Sequence, residues 1–282
     1  MKTKSTLLLI ALFFAAAVTA QSLYVVEKNQ IIYQIELSDI DSISFIEPAT
    51  NIPTATSDPG VLVDGIRWAT RNVGAHGNFA ATPQDAGGFY QWGRKGDGHQ
   101  DPESERSLVS YSSDLGDYDL DANGQIKDIS LVFYGKFIVS NLNFDWRPFA
   151  DDALWNAGSE SAPIKTIADA CPAGWRIPTK TELQKLAGAE SKWVTTPVAG
   201  REIKGSNGKT LFLPAAGVRE GSVKAPFVEQ GVEGYYWSSS TGTGYDLGRD
   251  YPAAYLFGFD NARFTNKMSH RTYGANLRCV KE

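Results

Sequence analysis

The 282-residue chain is poor in the residues from which metal centres and nucleophilic active sites are built. It has only two cysteines, and its three histidines, His76, His99 and His270, lie far apart along the sequence. Zinc centres are recognised in a sequence by ligands at short, regular spacings, and no such spacing occurs. HExxH, GxSxG and phosphate-binding Walker motifs are absent too. We therefore predict that the protein is not an enzyme, although a Ser-His-Asp set assembled from distant residues leaves no trace in a sequence.

Long hydrophobic runs are equally scarce. The extended apolar stretch at residues 7–18 is shorter than the roughly 20 residues that a membrane-spanning helix needs. Lys2 and Lys4 precede it and the small-residue sequence Val18-Thr19-Ala20 ends it, which is the pattern of a cleavable secretion signal. The sequence therefore predicts a signal peptide over residues 1–20, no membrane span in the remainder, and a secreted or cell-surface location.

Positive charge is also in short supply. The 27 lysines and arginines are outnumbered by 32 acidic residues, and removal of the two signal-peptide lysines changes the net charge from −5 to −7. Nucleic-acid binding requires a basic surface that neutralises phosphates, and no run rich in lysine or arginine occurs. The sequence thus predicts no nucleic-acid partner and leaves a protein or a glycan as the partner.

The two cysteines are Cys171 and Cys279, and an even pair in an exported chain favours a structural disulfide over two free thiols. The bridge would close a loop of about 100 residues, for which the chain-entropy model gives a stabilisation of about 4–5 kcal/mol. It would tie the middle of the chain to its last strand.

A small β segment and a linker precede the main domain. Residues 21–47 alternate apolar and polar positions around Lys28-Asn29-Gln30, which predicts a β-hairpin followed by a further strand that ends at Ile46. Three prolines and a lack of periodicity over residues 48–60 indicate a linker. The main domain is predicted over residues 61–282.

The main domain contains several short strand-like segments and one helical segment. Thr179 and Glu182 have the spacing of a capping box, and Leu183 and Leu186 then recur on one helix face. We therefore predict a helix that begins at Thr179 and buries the two leucines. The expected class is α+β, with short antiparallel strands preceded by the small N-terminal hairpin. The predicted strands cover residues 61–68, 88–92, 209–213, 234–238, 253–259 and 275–280.

Five segments of the main domain carry a resemblance to a known family. They are GGFYQWGRKGDG (87–98), CPAGWRIPT (171–179), LFLPAAG (211–217), GYYWSSS (234–240) and RTYGANLRCV (271–280). Their content and order resemble the Fibrobacter succinogenes major paralogous domain family, exported proteins of Bacteroidetes-type bacteria. That resemblance implies a C-type-lectin-like fold, similar to that of the sulfatase-modifying factors, with one main helix and a long loop region that carries any binding. It implies no activity, because this fold supports binders, enzymes and inert scaffolds.

The same resemblance bears on the cysteines. Both fall in structural positions of the family, whereas the formylglycine-generating enzymes of that fold oxidise their substrate with active-site cysteines held near one another. The resemblance therefore supports the disulfide and gives no support to that enzyme activity.

The acidic segment 117–128 is a candidate cation site. With Asp119 as the first ligand, Asp121 and Asn123 fall at later ligand positions of an EF-hand-like loop, but the twelfth position is Ser130 in place of an acidic residue. The alternative is a solvated acidic turn, and apart from a weakly bound calcium ion the sequence predicts no cofactor. The sugar-binding calcium motifs of C-type lectins do not occur. A weak calcium site would use Asp117, Asp119, Asp121, Asn123 and Asp128.

The tryptophans divide into two groups. Trp92, Trp175 and Trp237 lie within the family-like segments and are predicted to be core. Residues 143–158 mix aromatic and polar residues without a clean period, which is typical of a functional loop on a rigid scaffold. The alternative for the two tryptophans of that loop is that they cover the core. The candidate ligand contacts are Trp146, Asp151, Asp152 and Trp155 from the loop and Tyr245 from the segment after Ser240.

These observations predict an exported interaction protein that binds a glycan or another protein through its loops. We expect the contacts in residues 117–155 and in the loop after Ser240, on the face opposite the N-terminal hairpin. The alternative is a structural module of a surface fibre or complex, in which the hairpin pairs with another chain. An enzyme comes third.

Overall fold

The structure, a computed structural model, describes residues 22–27, 30–36, 58–109, 119–127, 129–140, 144–222, 224–246 and 248–282. Contacts within the chain divide it into two units, Met1–Ile52 and Pro53–Glu282. The division falls inside the predicted linker, most of which lies outside the described residues, so the predicted domain boundaries stay a prediction.

In the first unit two strands are described. They are β1 (Ser22–Glu27) and β2 (Gln30–Glu36), which pair antiparallel where the sequence predicts a hairpin. The predicted strand that ends at Ile46 lies outside the described residues.

The second unit is built mainly from short strands that are connected by turns. Its strands are β3 (Val61–Val63), β4 (Ile66–Asn72), β5 (Tyr90–Gln91), β6 (Arg106–Val109), β7 (Phe137–Ser140), β8 (Trp175–Arg176), β9 (Ser191–Val194), β10 (Gly200–Lys204), β11 (Thr210–Pro214), β12 (Val218–Arg219), β13 (Phe227–Val228), β14 (Gly234–Asp246), β15 (Arg249–Phe259), β16 (Phe264–His270), β17 (Gly274–Ala275) and β18 (Arg278–Lys281).

The predicted α+β class is wrong. Only 4% of the described residues are helical against 40% in strands, and α1 (Lys180–Ala187) is the one helix in the described part of the second unit. The protein is β-rich, so the expected C-type-lectin-like arrangement of one main helix beside the strands is wrong as well. The physical reason is that turns with positive φ, such as those at Gly93 and Gly217, interrupt the chain between short strands, so no helical segment longer than α1 develops in the described residues.

The sheets are small and mostly antiparallel. Two four-stranded sheets have the orders β3-β4-β18-β8 and β13-β12-β17-β5, and two three-stranded sheets have the orders β14-β15-β16 and β11-β10-β9. Strands β6 and β7 form a parallel pair. The C-terminal strands β17 and β18 therefore lie in inner positions of two different sheets.

The helix forms as the sequence predicts. Thr179 is its N-cap and accepts the N–H of Glu182, while the Glu182 carboxylate accepts the N–H of Thr179 at 2.8 Å. Arg176 donates to both oxygens of the same carboxylate, at 2.7 and 2.6 Å. Leu183 and Leu186 are buried, so the prediction for the helix start and its buried face is confirmed.

The predicted disulfide is also confirmed. Cys171 and Cys279 are bonded, with their Cα atoms 6.0 Å apart, and they connect the segment before β8 to β18. Both cysteines are buried in the larger of the apolar clusters.

Tryptophans form much of that cluster. Trp92, Trp175 and Trp237 are at most 3% exposed, so the prediction that they are core is confirmed. The indole N–H of Trp92 donates to Ser238 O and that of Trp237 to Tyr90 O, which satisfies both donors inside the core.

Within the described residues no helix has the length and apolar character to cross a membrane.

Candidate functional site

Residues 144–153 form a loop that is held in place by contacts with the buried Arg271. We call it the anchored loop. Arg271 is fully buried, and its backbone N–H donates to Phe144 O at 2.7 Å. Its guanidinium contacts the carboxylate of Asp145 at 3.4 Å and also pairs with that of Asp152. One buried arginine, with its five fixed donors, therefore holds the loop near both ends.

The anchored loop and the β14–β15 hairpin enclose a cleft of about 200 Å³, the first cleft. The two strands pair out to Asp246 and Arg249, and the start of β15 lines the cleft. This cleft joins the two segments in which the sequence predicts ligand contacts. Its lining residues are Phe144, Asp145, Arg147, Pro148 and Ala150 from the loop and Arg249, Asp250, Tyr251 and Pro252 from the hairpin.

Aromatic rings form one wall of the first cleft. The ring centroids of Phe144 and Tyr251 are 4.4 Å apart, and His270 packs against both, at 4.3 and 4.7 Å. Arg249 lies 5.1 Å from the Phe144 centroid. Burial lowers the pKa of His270 despite the nearby Asp246, so its imidazole is neutral at neutral pH. The wall therefore consists of uncharged rings with one guanidinium above them.

Charged groups of both signs also line the cleft. Asp145 accepts the backbone N–H of Arg147 at 3.1 Å and is 4% exposed. Burial raises the pKa of Asp145 to about 6, because the charges of Arg271 and Arg147 offset only part of the cost of desolvation. The carboxylate is therefore ionised at neutral pH.

A second cleft, of about 210 Å³, lies on the other side of the anchored loop. The carboxylate of Asp151, which lines it, is 3.2 Å from the guanidinium of Arg147, which lines the first cleft. A Cβ added to Gly124 would come within 3.1 Å of that guanidinium, so Arg147 packs directly on the turn that contains Gly124. The residues that line the second cleft are Ala122, Asn123, Asp151, Ala153, Leu154, Thr166, Ile167 and Ala168.

Two large apolar side chains stand exposed beside these clefts. Phe149, on the anchored loop, is 66% exposed, and Ile167, in the second cleft, is 70% exposed. Single exposed apolar residues are common on protein surfaces, so it is the position of these two beside the clefts that distinguishes them.

The predicted ligand residues fall in different places. Trp146 and Trp155 are each 1% exposed, so the alternative that they cover the core is the correct one, and neither offers a face to a ligand. The Trp146 indole N–H donates to Trp92 O at 2.8 Å, which turns the ring inward. Asp151 lines the second cleft, whereas Tyr245 is 73% exposed near the hairpin tip. Asp152, the last of the set, is the partner of Arg271.

The acidic segment forms a tight turn over the part that is described. Asp121 accepts the N–H groups of Asn123 and Gln125, at 2.8 and 3.0 Å, and Lys95 lies 3.8 Å from its carboxylate. Asp119 is described, whereas Asp117 and Asp128 lie outside the described residues. Within the described part no group of three acidic, histidine or cysteine side chains is placed to hold a metal ion. The calcium site stays a prediction, and Lys95 would have to move for a cation to bind at Asp121.

Sequence reasoning missed most of the residues that shape the first cleft. Phe144, Arg249 and His270 have no local pattern that sets them apart, and they meet only through the fold. Arg271 is the first residue of the RTYGANLRCV segment, and this position was the one signal in the sequence that distinguished it. Its contacts with a loop more than 100 residues earlier could not be read from that position.

Comparison of the chain with models of protein families, with curated proteins and with solved structures found no match.

Proposed function

We propose that the chain is an exported interaction protein that binds a glycan or another protein at the first cleft. The observation that carries the proposal is the meeting of the anchored loop with the β14–β15 hairpin around one concave surface. Loops that a buried scaffold holds in place are the usual position for binding residues.

Export is supported by the signal-like residues 1–20 and by the disulfide between Cys171 and Cys279, since such bonds persist in oxidising compartments. The resemblance of the segments 87–98 and 171–179 to the major paralogous domain family supports the same setting, and we propose membership of that family. The absence of a basic run supports a partner other than nucleic acid.

A binding role also fits the hydrogen bonds of the buried His99. His99 is fully buried, and both of its ring nitrogens are hydrogen-bonded inside the chain, to Asp97 and to the N–H of Gln91. It is therefore held as a structural group, and we propose that the protein has no catalytic activity.

The test is a binding screen of the mature chain against glycan and peptide arrays, followed by substitutions at the mouth of the first cleft. Arg249 and Asp250 are exposed, so Arg249→Ala and Asp250→Ala should leave the melting temperature unchanged and weaken binding at least about tenfold. Arg263→Ala, an exposed arginine in the turn between β15 and β16, is the matched control. A ligand bound equally by the wild type and both cleft variants would place the function elsewhere.

The alternative, a structural module of a surface assembly, is favoured by the first unit. A two-stranded hairpin such as β1–β2 is marginally stable alone in water, which favours its pairing with other strands. This function predicts multimers of the mature chain that disappear when residues 21–47 are removed. Analytical ultracentrifugation of both forms would decide, because a monomer at all concentrations rejects assembly through this segment.

A further inference from the structure

We propose that the two clefts are adjacent subsites for one neutral oligosaccharide, which crosses the anchored loop over Phe149. This inference rests on the proposed binding function and adds the ligand class and its length.

The two clefts share a wall. Arg147 lines the first and Asp151 lines the second, and their charged groups are 3.2 Å apart. The clefts measure about 200 and 210 Å³, each below the roughly 300 Å³ at which pockets for drug-sized ligands begin. Each cleft therefore suits one small unit, and a ligand that fills both must be a chain of such units.

The polar groups fit sugar hydroxyls. A hydroxyl donates one hydrogen bond and accepts others, so a sugar ring is best bound where donors and acceptors lie side by side. The first cleft offers the guanidinium of Arg249 beside the carboxylate of Asp250, and the second offers the side-chain amide of Asn123 beside Asp151.

The apolar groups fit the other faces of a sugar. The CH groups of a pyranose pack on aromatic and aliphatic surface, which rigid rings provide at low entropic cost. Phe144 lies in the wall of the first cleft, Phe149 is 66% exposed on the loop between the clefts, and Ile167 is 70% exposed in the second. An apolar surface thus accompanies the polar groups along the whole path.

The charge of the two clefts favours a neutral ligand. Two arginines, Arg147 and Arg249, and three aspartates, Asp145, Asp151 and Asp250, line them. Asp145 is paired with the buried Arg271, so the two remaining aspartates and the two arginines balance each other. Clefts without net charge do not attract a uronic acid or a sulfated sugar, which favours a neutral ligand.

The path is also rigid. Arg271 fixes Asp145 and Asp152 on opposite sides of the loop crest, and its guanidinium lies 4.5 Å from the ring of Trp92. A loop that is already ordered gives up less conformational entropy when it binds, which suits the weak individual contacts of sugars.

The experiment measures binding of the mature chain to cello-, malto- and manno-oligosaccharides of one to six units by calorimetry. Oligogalacturonides serve as acidic counterparts, and an array of random peptides is screened in parallel. We expect one neutral series to bind, with chains of three or more units at least about tenfold tighter than the monosaccharide. Phe149→Ala and Ile167→Ala should weaken binding of the longer chains about five- to tenfold.

Val232→Ala removes an apolar side chain that is 59% exposed and lines neither cleft, and it is the matched control. Equal affinity for short and long chains, a preference for oligogalacturonides, or binding of peptides alone would each overturn the two-subsite inference. Arg249→Ala separates the two proposals. If it abolishes binding of whatever ligand is found, the first cleft functions even when the oligosaccharide inference fails, and if it has no effect, both fail.

Discussion

His99 should make the protein less stable as the pH falls below 6.5. Its Nε2 accepts the N–H of Gln91 at 3.1 Å, so the ring proton is on Nδ1, which donates to Asp97 at 2.7 Å. If the ring took up a second proton, on Nε2, this N–H would point at the N–H of Gln91, and two hydrogen-bond donors would oppose each other. Burial, reinforced by the charge of Arg94, lowers the pKa of His99 to about 4.

The size of the effect follows from the two pKa values of His99. An ordinary histidine in the unfolded chain has a pKa near 6.5, so between pH 6.5 and 4 the unfolded state binds a proton that the folded state lacks. The free energy of unfolding therefore falls as the pH is lowered through this window. By pH 4.5 the loss amounts to about 2.5 kcal/mol, at about 1.4 kcal/mol for each unit of pKa difference.

The assay is urea denaturation of the wild type and His99→Gln at pH 7.5, 6.5, 5.5 and 4.5. The buried carboxylates Asp145 and Asp169 have pKa values raised to about 6, so they make stability change in the opposite direction over the same range. They are present in both proteins, as are His76 and His270, and they cancel in the difference. The variant should be less stable than the wild type at pH 7.5, with the gap closing by about 2.5 kcal/mol at pH 4.5. A gap that stays constant with pH would refute the reasoning.

Three further predictions concern the core, the disulfide and the acidic turn. Leu186→Ala should lower the free energy of unfolding by about 2–5 kcal/mol, because its side chain is fully buried, while the exposed neighbour Gln184→Ala should change it by less than about 0.5 kcal/mol in the same denaturant titration. Replacing both Cys171 and Cys279 by alanine should cost about 4–5 kcal/mol, and non-reducing peptide mapping that finds two free thiols would contradict the bond. If the acidic turn binds calcium, ten times the dissociation constant of the ion should stabilise the fold by about 1.4 kcal/mol, and identical melting curves in calcium and in chelator would reject the site, with Asp121→Ala as the control.

Features set by neighbouring residues were predictable from the sequence. The helix α1 is one example, because Thr179 and Glu182 cap it within a single turn and Leu183 and Leu186 repeat at its period. The disulfide is another, since the chain holds no third cysteine to compete for either partner.

The fold class failed because its strands depend on partners far along the chain. Strand β8 (Trp175–Arg176) has two residues, and within the described residues it pairs with β18, about one hundred positions later. A two-residue segment carries no period, so nothing local distinguishes it from a turn. The same holds for β5 and β17, which pair with each other across most of the second unit.

The sequence predicted which segments form the candidate site, but it did not predict which side chains line it. Residues 144–155 do lie beside the hairpin after Ser240, but the aromatic ring that the loop contributes to the cleft belongs to Phe144, whereas Trp146 points into the core. Which aromatic faces outward depends on where Arg271 fixes the loop, and that contact cannot be inferred from spacing.

The inner positions of β17 and β18 determine when the second unit can finish folding. Each of these C-terminal strands completes a sheet whose other members come from much earlier in the chain. During synthesis, therefore, neither four-stranded sheet can close until Gly274–Lys281 has left the ribosome. An incomplete chain would keep unsatisfied strand edges and remain open. Contacts this distant in sequence also make folding slow, so the unpaired edges should stay exposed for longer than in a fold built from local contacts.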